Sequence, residues 1–420
     1  MTEGTGVLAA NRHARPWTCP FCALLCDRFG VTTETEGRFA LVGSRCPRAL
    51  RSLEQFSARA EPASATIDGA PVSLDAALDA AAQILARARQ PLFAGLATDL
   101  AGARALYLLG STCHAIFDHA HSETMLPGLR ALQDRGAIQT TLAEIRSRAD
   151  LLICLGTQPS LQYPEFFRRI ESAVDSTTRD FVFLGVDVDP ALKSESARRV
   201  DLHGDWFQTL AILNALARKG RLPAQSPALA ALVEQLLAAR YAVLVWEPAA
   251  LPGTQVALLV ESINELLKTL NRGTRAGGLA LAGNDGALSF NQALTWMSGL
   301  PLRTGLHANG PEHEPHRYAS HQLLSDGAAD ALLWISSFGV ELKPPPTEVP
   351  TVVLGHPALS SARADGVFIP VSTPGIGSAG HLTRVDGVVV VPLAPLFADP
   401  TPTVTTIAAR LLDRVKALRS

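Results

Sequence analysis

No uninterrupted apolar run in this sequence reaches the ~18 residues that a membrane-crossing helix needs, and the opening stretch from Met1 holds no apolar core of signal-peptide type. Charge is scarce and balanced: Asp, Glu, Lys and Arg make up 18% of the chain and the formal net charge is −2. That leaves no basic footprint for nucleic acid and no attraction to an anionic membrane. Cysteine is sparse as well. Six in 420 residues are too few to staple a fold of this size with disulfides, and free thiols without an export signal point to the reducing cytoplasm. The length suffices for two or three domains with cores of their own.

What is present is concentrated near the N-terminus. Cys19-Pro-Phe-Cys22-Ala-Leu-Leu-Cys26 is followed by Cys46 in Gly-Ser-Arg-Cys-Pro-Arg. The spacing C-x2-C-x3-C lets one short loop turn three thiolates inward while a later segment supplies the fourth. Four converging thiolates suit a [4Fe–4S] cluster or a tetrahedral zinc. The alternative is a tight turn that keeps its cysteines without a metal. Cys113 and Cys154 lie alone in apolar segments and read as small buried residues.

After residue 58, apolar β-type runs alternate with Ala/Leu-rich helical stretches. Glu61-Pro-Ala-Ser-Ala-Thr reads as a linker, and Ser73 as the cap of a helix through Leu74–Ala88. Strands are expected at Pro91–Leu96, Leu151–Gly156, Phe181–Asp187, Tyr241–Trp246, Gly278–Gly283, Ala331–Ser337, Thr351–Gly355 and Val388–Leu393. Helices are expected at Ala101–Thr112, Trp206–Arg218, Leu229–Arg240 and Val256–Asn271. Continuous apolar strands with helical crossovers predict parallel sheets covered on both faces, too many strands for one sheet. Strand-end loops bind ligands in such folds. Gly156-Thr-Gln-Pro159, Asp187-Val-Asp-Pro190 and Gly283-Asn-Asp-Gly286 each offer backbone N–H groups that suit a phosphate, or serve as ordinary strand-to-helix turns.

Taken in order, several segments resemble the B subunit of formylmethanofuran dehydrogenase, a branch of the molybdopterin oxidoreductases. They are the cysteine quartet with Asp27, Leu129–Gly136, Arg148–Pro159, Val186–Pro190 and Gly286–Trp296. The resemblance implies an α/β fold with a Cys-bearing domain I (1–58), a discontinuous doubly wound domain II (59–135 and 331–420) and a doubly wound domain III (136–330). It also implies a cluster that takes electrons from a bis-pterin tungsten or molybdenum centre.

Two positions depart from that family. Counting back from Ala131-Leu-Gln-Asp134, the metal-ligating Cys and the His after it fall on Thr124 and Met125. A threonine hydroxyl is a poor ligand for a soft metal, and methionine relays no proton at neutral pH. The active-site arginine falls on Ala308 or Asn309, so a guanidinium that could hold a carboxylate is missing. Cys113-His114 is out of register to replace the lost pair. These departures resemble the B subunit of the bacterial formyltransferase/hydrolase complex of methylotrophs. That likeness implies a non-redox, non-catalytic subunit in tetrahydromethanopterin- and methanofuran-linked one-carbon metabolism. Its implied partners are a zinc amidohydrolase-type A subunit, a C subunit and a formyltransferase D subunit. No tungsto- or molybdopterin is then expected, and the quartet of Cys19, Cys22, Cys26 and Cys46 would have a structural role with iron–sulfur, zinc or no metal. An active tungsten or molybdenum dehydrogenase subunit is the alternative.

The remaining polar clusters are read as structural. His307, His313, His316 and His321, with Glu312 and Glu314, are expected in an exposed Pro-rich loop at a subunit interface. His119, His121 and Glu123 are expected to fill the old metal cavity with hydrogen bonds. Thr373-Pro-Gly-Ile-Gly-Ser-Ala-Gly-His381 is expected to be a turn.

Overall fold

A computed structural model describes residues 14–60, 63–171, 179–192, 196–219, 226–362 and 366–420. Glu61 and Pro62 of the expected linker, and most of the opening stretch read for a signal, lie outside the described residues. The contacts divide the chain into two units. Unit 1 comprises Met1–Ser122, Gly283–Arg384 and Val389–Ser420, and unit 2 comprises Glu123–Ala282 and Val385–Val388.

The chain begins with β1 (Arg15–Trp17), β2 (Phe29–Thr33), β3 (Phe39–Val42) and helix α1 (Pro47–Leu53). The strands form a small antiparallel sheet in the order β1-β2-β3. A hairpin follows, β4 (Ala65–Ile67) and β5 (Ala70–Val72), then α2 (Leu74–Arg87), β6 (Pro91–Ala97), α3 (Leu100–Cys113), β7 (Ile116–His119) and α4 (Ser122–Arg135). Ser73 starts α2 as expected, its side chain accepting from the Ala76 N–H.

Unit 2 contains α5 (Leu142–Arg148), β8 (Leu151–Leu155), α6 (Pro159–Gln162), α7 (Phe166–Ile170), β9 (Asp180–Leu184) and β10 (Ala197–Val200). It continues with α8 (Trp206–Ala217), α9 (Pro227–Ala238), β11 (Ala242–Trp246), α10 (Val256–Leu270) and β12 (Ala276–Ala280). Its five-stranded sheet runs β10-β9-β8-β11-β12, parallel throughout. The outer edge of β12 is covered: Gly278 donates to the Ile138 carbonyl, and its own carbonyl accepts from Thr140 N–H, both at 3.0 Å.

The return to unit 1 adds α11 (Ala287–Ser298), β13 (Thr304–His307), β14 (Gly310–His313), α12 (Ser320–Ser325), β15 (Ala331–Ser336), β16 (Thr351–Gly355) and β17 (Val367–Pro370). The hairpin β18 (Gly380–Thr383) and β19 (Val390–Leu393) and the long α13 (Val404–Arg419) complete it. A nine-stranded sheet runs β14-β13-β7-β6-β15-β16-β17-β4-β5. Its centre is parallel, as the continuous apolar strands require, and both ends are closed by antiparallel hairpins. Helix α13 packs against α2 and α3, and α11 against α3.

One expectation is corrected. The Pro-rich histidine segment is not one continuous loop: His307 and His313 lie on β13 and β14, a hairpin whose first strand pairs antiparallel with β7, and His321 lies in α12, while Pro315 and His316 are in the turn between. Residues 283–330 belong to unit 1.

Candidate functional site

The cysteine loop joins β1 to β2, and Cys46 immediately precedes α1. Cys19 N–H closes the loop on the Cys26 carbonyl at 2.9 Å, and Leu25 N–H bonds the Cys22 carbonyl at 3.1 Å. Leu25 takes the left-handed region (φ 46°) to make this turn. Phe21, Leu24 and Leu25 are buried, and so are all four thiols. Burial pushes the Cys22 thiol up to about 11, opposed by Arg48 and by a hydrogen bond from Leu24 N–H. Cys19 is pushed up too, by burial first and then by Cys22, against a bond from Phe21 N–H. Four soft thiols, two with backbone N–H groups turned to their sulfurs, suit a thiophilic metal in kind. Cys19 feels the charges of Cys22 and Cys46, and Cys22 that of Cys46, so three of the thiols lie near one another; among the described residues, no group of three or more His, Cys, Asp or Glu side chains is arranged to hold a metal ion.

The loop is tied to distant parts of unit 1. Ala23 N–H donates to Asn284 Oδ1 at 3.0 Å. Arg48 donates to the Phe21 carbonyl at 2.5 Å and lies 3.8 Å from the Asp285 carboxylate. Asp285 also pairs with His121, Nε2 to Oδ2 at 2.7 Å. His119 accepts the His121 backbone N–H on Nδ1 at 3.0 Å, and its Nε2 lies 3.2 Å from the Asp285 carbonyl. That pattern fixes a neutral His119 that donates through Nε2. Burial, and then His121, pull His119 down to about 3. Asp285 stays below the usual carboxylate range through the His121 hydrogen bond and nearby cations, although burial works the other way.

The side chains of the turn Gly283-Asn-Asp-Gly286 are engaged within the protein. Asn284 and Asp285 are spent on the cysteine loop and on histidine. Asp285 is left-handed (φ 53°), and Gly286 (φ 78°) must be glycine because a Cβ there would strike the Thr98 carbonyl. Sequence reasoning missed the roles of Asn284, Asp285 and Arg48. The local signal at 283–286 is a turn, and nothing local marks partners more than 160 residues apart in sequence.

The structure places the positions where the resemblance expects the family's metal ligand, histidine and arginine as follows. Thr124 and Met125 lie in the first turn of α4, Thr124 half-buried and Met125 buried. Ala308 and Asn309 form the exposed tip of the β13–β14 hairpin. Beside that tip, His307 Nε2 lies 2.8 Å from Tyr318 Oη, and Tyr318 donates to Glu312. Arg303 is committed elsewhere, to a buried ion pair with Asp118 at 3.2 Å. Cys113 is fully buried in α3, with His114 as its left-handed C-cap. In unit 2, Gly156–Pro159 and Asp187–Pro190 are joined to each other by hydrogen bonds from Gln158 to the Asp187 and Val188 carbonyls, both at 3.3 Å.

No protein-family model matches the chain. Three relatives do. It is 31% identical over 361 residues to the B subunit of the formyltransferase/hydrolase complex Fhc of Methylorubrum extorquens, covering 84% of this chain and 97% of that one. It is 24% identical over 398 residues to the B subunit of tungsten-containing formylmethanofuran dehydrogenase 2 of Methanocaldococcus jannaschii, covering 88% and 91%. The Methanococcus maripaludis protein of the same description matches equally in identity and coverage. Among solved structures, the crystal structure of the Methylorubrum extorquens complex FhcABCD with methylofuran contains a chain that is 28% identical, with a TM-score of 0.71 over 84% of this chain and 99% of that one. With the parallel sheets and the N-terminal cysteine region in place, the chain belongs to the family of formyltransferase/hydrolase complex B subunits, related to the B subunits of formylmethanofuran dehydrogenase.

Proposed function

We propose that this chain is the B subunit of a formyltransferase/hydrolase complex, a non-redox scaffold for the subunits that carry the chemistry. The observation that carries this reading is the match to the Fhc B subunit over nearly that protein's whole length, reinforced by the match to a chain of the assembled FhcABCD complex. Its partners are then an amidohydrolase-type A subunit with zinc, a C subunit and a formyltransferase D subunit, serving cytoplasmic one-carbon metabolism of a methylotroph. The residues support the loss of redox chemistry. Thr124 and Met125 offer neither a thiolate nor a proton relay, and Ala308 stands on an exposed hairpin tip. With no electrons to pass, the cysteine loop acts as a structural turn that ties β1, β2 and α1 to the 283–286 turn.

The test is co-expression of the tagged chain with candidate A, C and D subunits, followed by anoxic purification and elemental analysis with EPR. A four-subunit complex free of tungsten and molybdenum is expected. Stoichiometric tungsten or molybdenum, or a chain that recruits none of the three subunits, would overturn the reading.

A further inference from the structure

Helices α3 and α11 pack against each other within unit 1. Their seam is pinned by Tyr107, whose hydroxyl donates to the Met297 carbonyl at 3.1 Å. Next in sequence to those two residues stand Leu108, 51% exposed, and Trp296, 62% exposed. The solvent face of a surface helix ordinarily carries charge, and α13 does so with Arg410, Asp413, Arg414, Lys416 and Arg419. Here charge is nearly absent: Arg104 is the one charged residue in α3, and α11 has none. Arg104 lies one turn before Leu108 on the same helix face, and Ala101 and Ser111 continue that exposed stripe at helical spacing. The Arg104 side chain is exposed and makes no hydrogen bond or ion pair among the described residues. Trp, Tyr, Met and Arg with no Lys, Glu or Asp is the composition of a protein–protein interface, and Trp and Arg are the side chains that most often dominate its binding energy.

We propose that this face of α3 and α11 seats a partner subunit of the complex, which offers an apolar pocket to the Trp296 ring and a carboxylate at its rim to Arg104. The proposal rests on the chain being a subunit of such a complex, and adds the surface and the chemistry of the partner that fits it. An unpaired cation beside an uncharged apolar face favours an acidic rim and rejects a basic one. In a two-fold dimer a second copy of the chain would present the same face, and neither helix holds a carboxylate there to meet Arg104.

Hydrogen exchange of the full chain, free and in the complex co-expressed with the A, C and D subunits, reads the footprint directly. Slower exchange in the complex is expected at 104–108 and 292–297. Trp296→Ala and Arg104→Glu change exposed side chains, so the free chain should melt as the wild type does. Each is expected to weaken subunit capture at least about tenfold, while Arg104→Lys retains it. Should a variant fail to fold, the wild-type footprint decides. A complex that forms with 104–108 and 292–297 unprotected, or folded variants that capture subunits as well as the wild type, overturns this surface and leaves the assembly itself standing. A free chain that dimerises through Trp296 overturns the choice of partner. A wild-type chain that captures none of the subunits overturns the assembly, and this proposal with it.

Discussion

The buried ion pair of unit 1 gives a sharp quantitative prediction. Asp118 lies on β7, one residue before His119, and its carboxylate faces Arg303, whose backbone is left-handed (φ 64°) just ahead of β13. The side chains are 5% and 4% exposed. Asp118 also accepts from Ser320 N–H and Oγ, both at 2.7 Å, and Arg303 donates to the Pro315 carbonyl at 2.5 Å. The pair thus holds together β7, the hairpin that follows Arg303, and the start of α12. Asp118→Ala removes this buried carboxylate from the guanidinium, and removing one partner of such a pair costs about 3–5 kcal/mol. In a unit of this size that corresponds to a melting shift on the order of 10 °C. Asp118→Asn keeps an acceptor for Ser320 and should cost about 1–3 kcal/mol. Removing both charges together, as Asp118→Leu/Arg303→Met, should cost well under the sum of the single changes, because neither member of the pair is left facing an apolar replacement. Since the chain has two units, one global melting curve is not a sound reporter. Hydrogen exchange of the Ile116–His119 amides reads the affected strand directly. A loss below about 1 kcal/mol for Asp118→Ala, the range of exposed pairs, or strict additivity in the double variant, would refute the reasoning.

Acid should destabilise unit 1 through two buried neutral histidines, His119 held at about 3 and His356 at about 4, both chiefly by burial. Their unfolded forms take up a proton near 6.5 and the folded forms do not, so stability is intact above that pH and falls as pH drops through it toward 4 and 3. Each histidine contributes a slope of about 1.4 kcal/mol per pH unit; His119→Gln should lower the measured slope, and an unchanged slope would remove His119 from the account. Cys22→Ser should loosen the loop and reduce recovery of assembled complex while leaving hydrolysis per intact complex unchanged; a collapse of turnover per assembled complex would show that the loop does more than hold structure. Arg419 donates to the Leu85, Ala86 and Ala88 carbonyls at the end of α2 and to the Thr112 carbonyl of α3. Arg419→Ala should therefore cost about 1 kcal/mol, visible as faster exchange in the last turns of both helices.

The legibility of the fold in the sequence followed burial. Leu151–Leu155, Ala242–Trp246 and Thr351–Gly355 are strands buried on both faces, so their runs of apolar residues announce them, and Ser73 announces α2. β7 was not anticipated, because half of its four residues are Asp118 and His119. Those side chains are buried against specific partners, and from sequence alone a polar residue reads as solvent-facing. The same blindness affected the site. The cysteine spacing singles out a loop whose anchors, Asn284 and Asp285, sit in a turn whose glycines signal backbone shape and nothing about what its side chains reach. Family likeness offers Thr124, Met125 and Ala308 as candidate substituted positions. It could not show that Ala308 stands on an exposed hairpin tip, because that follows from the antiparallel pairing of β13 with β7, a non-local choice.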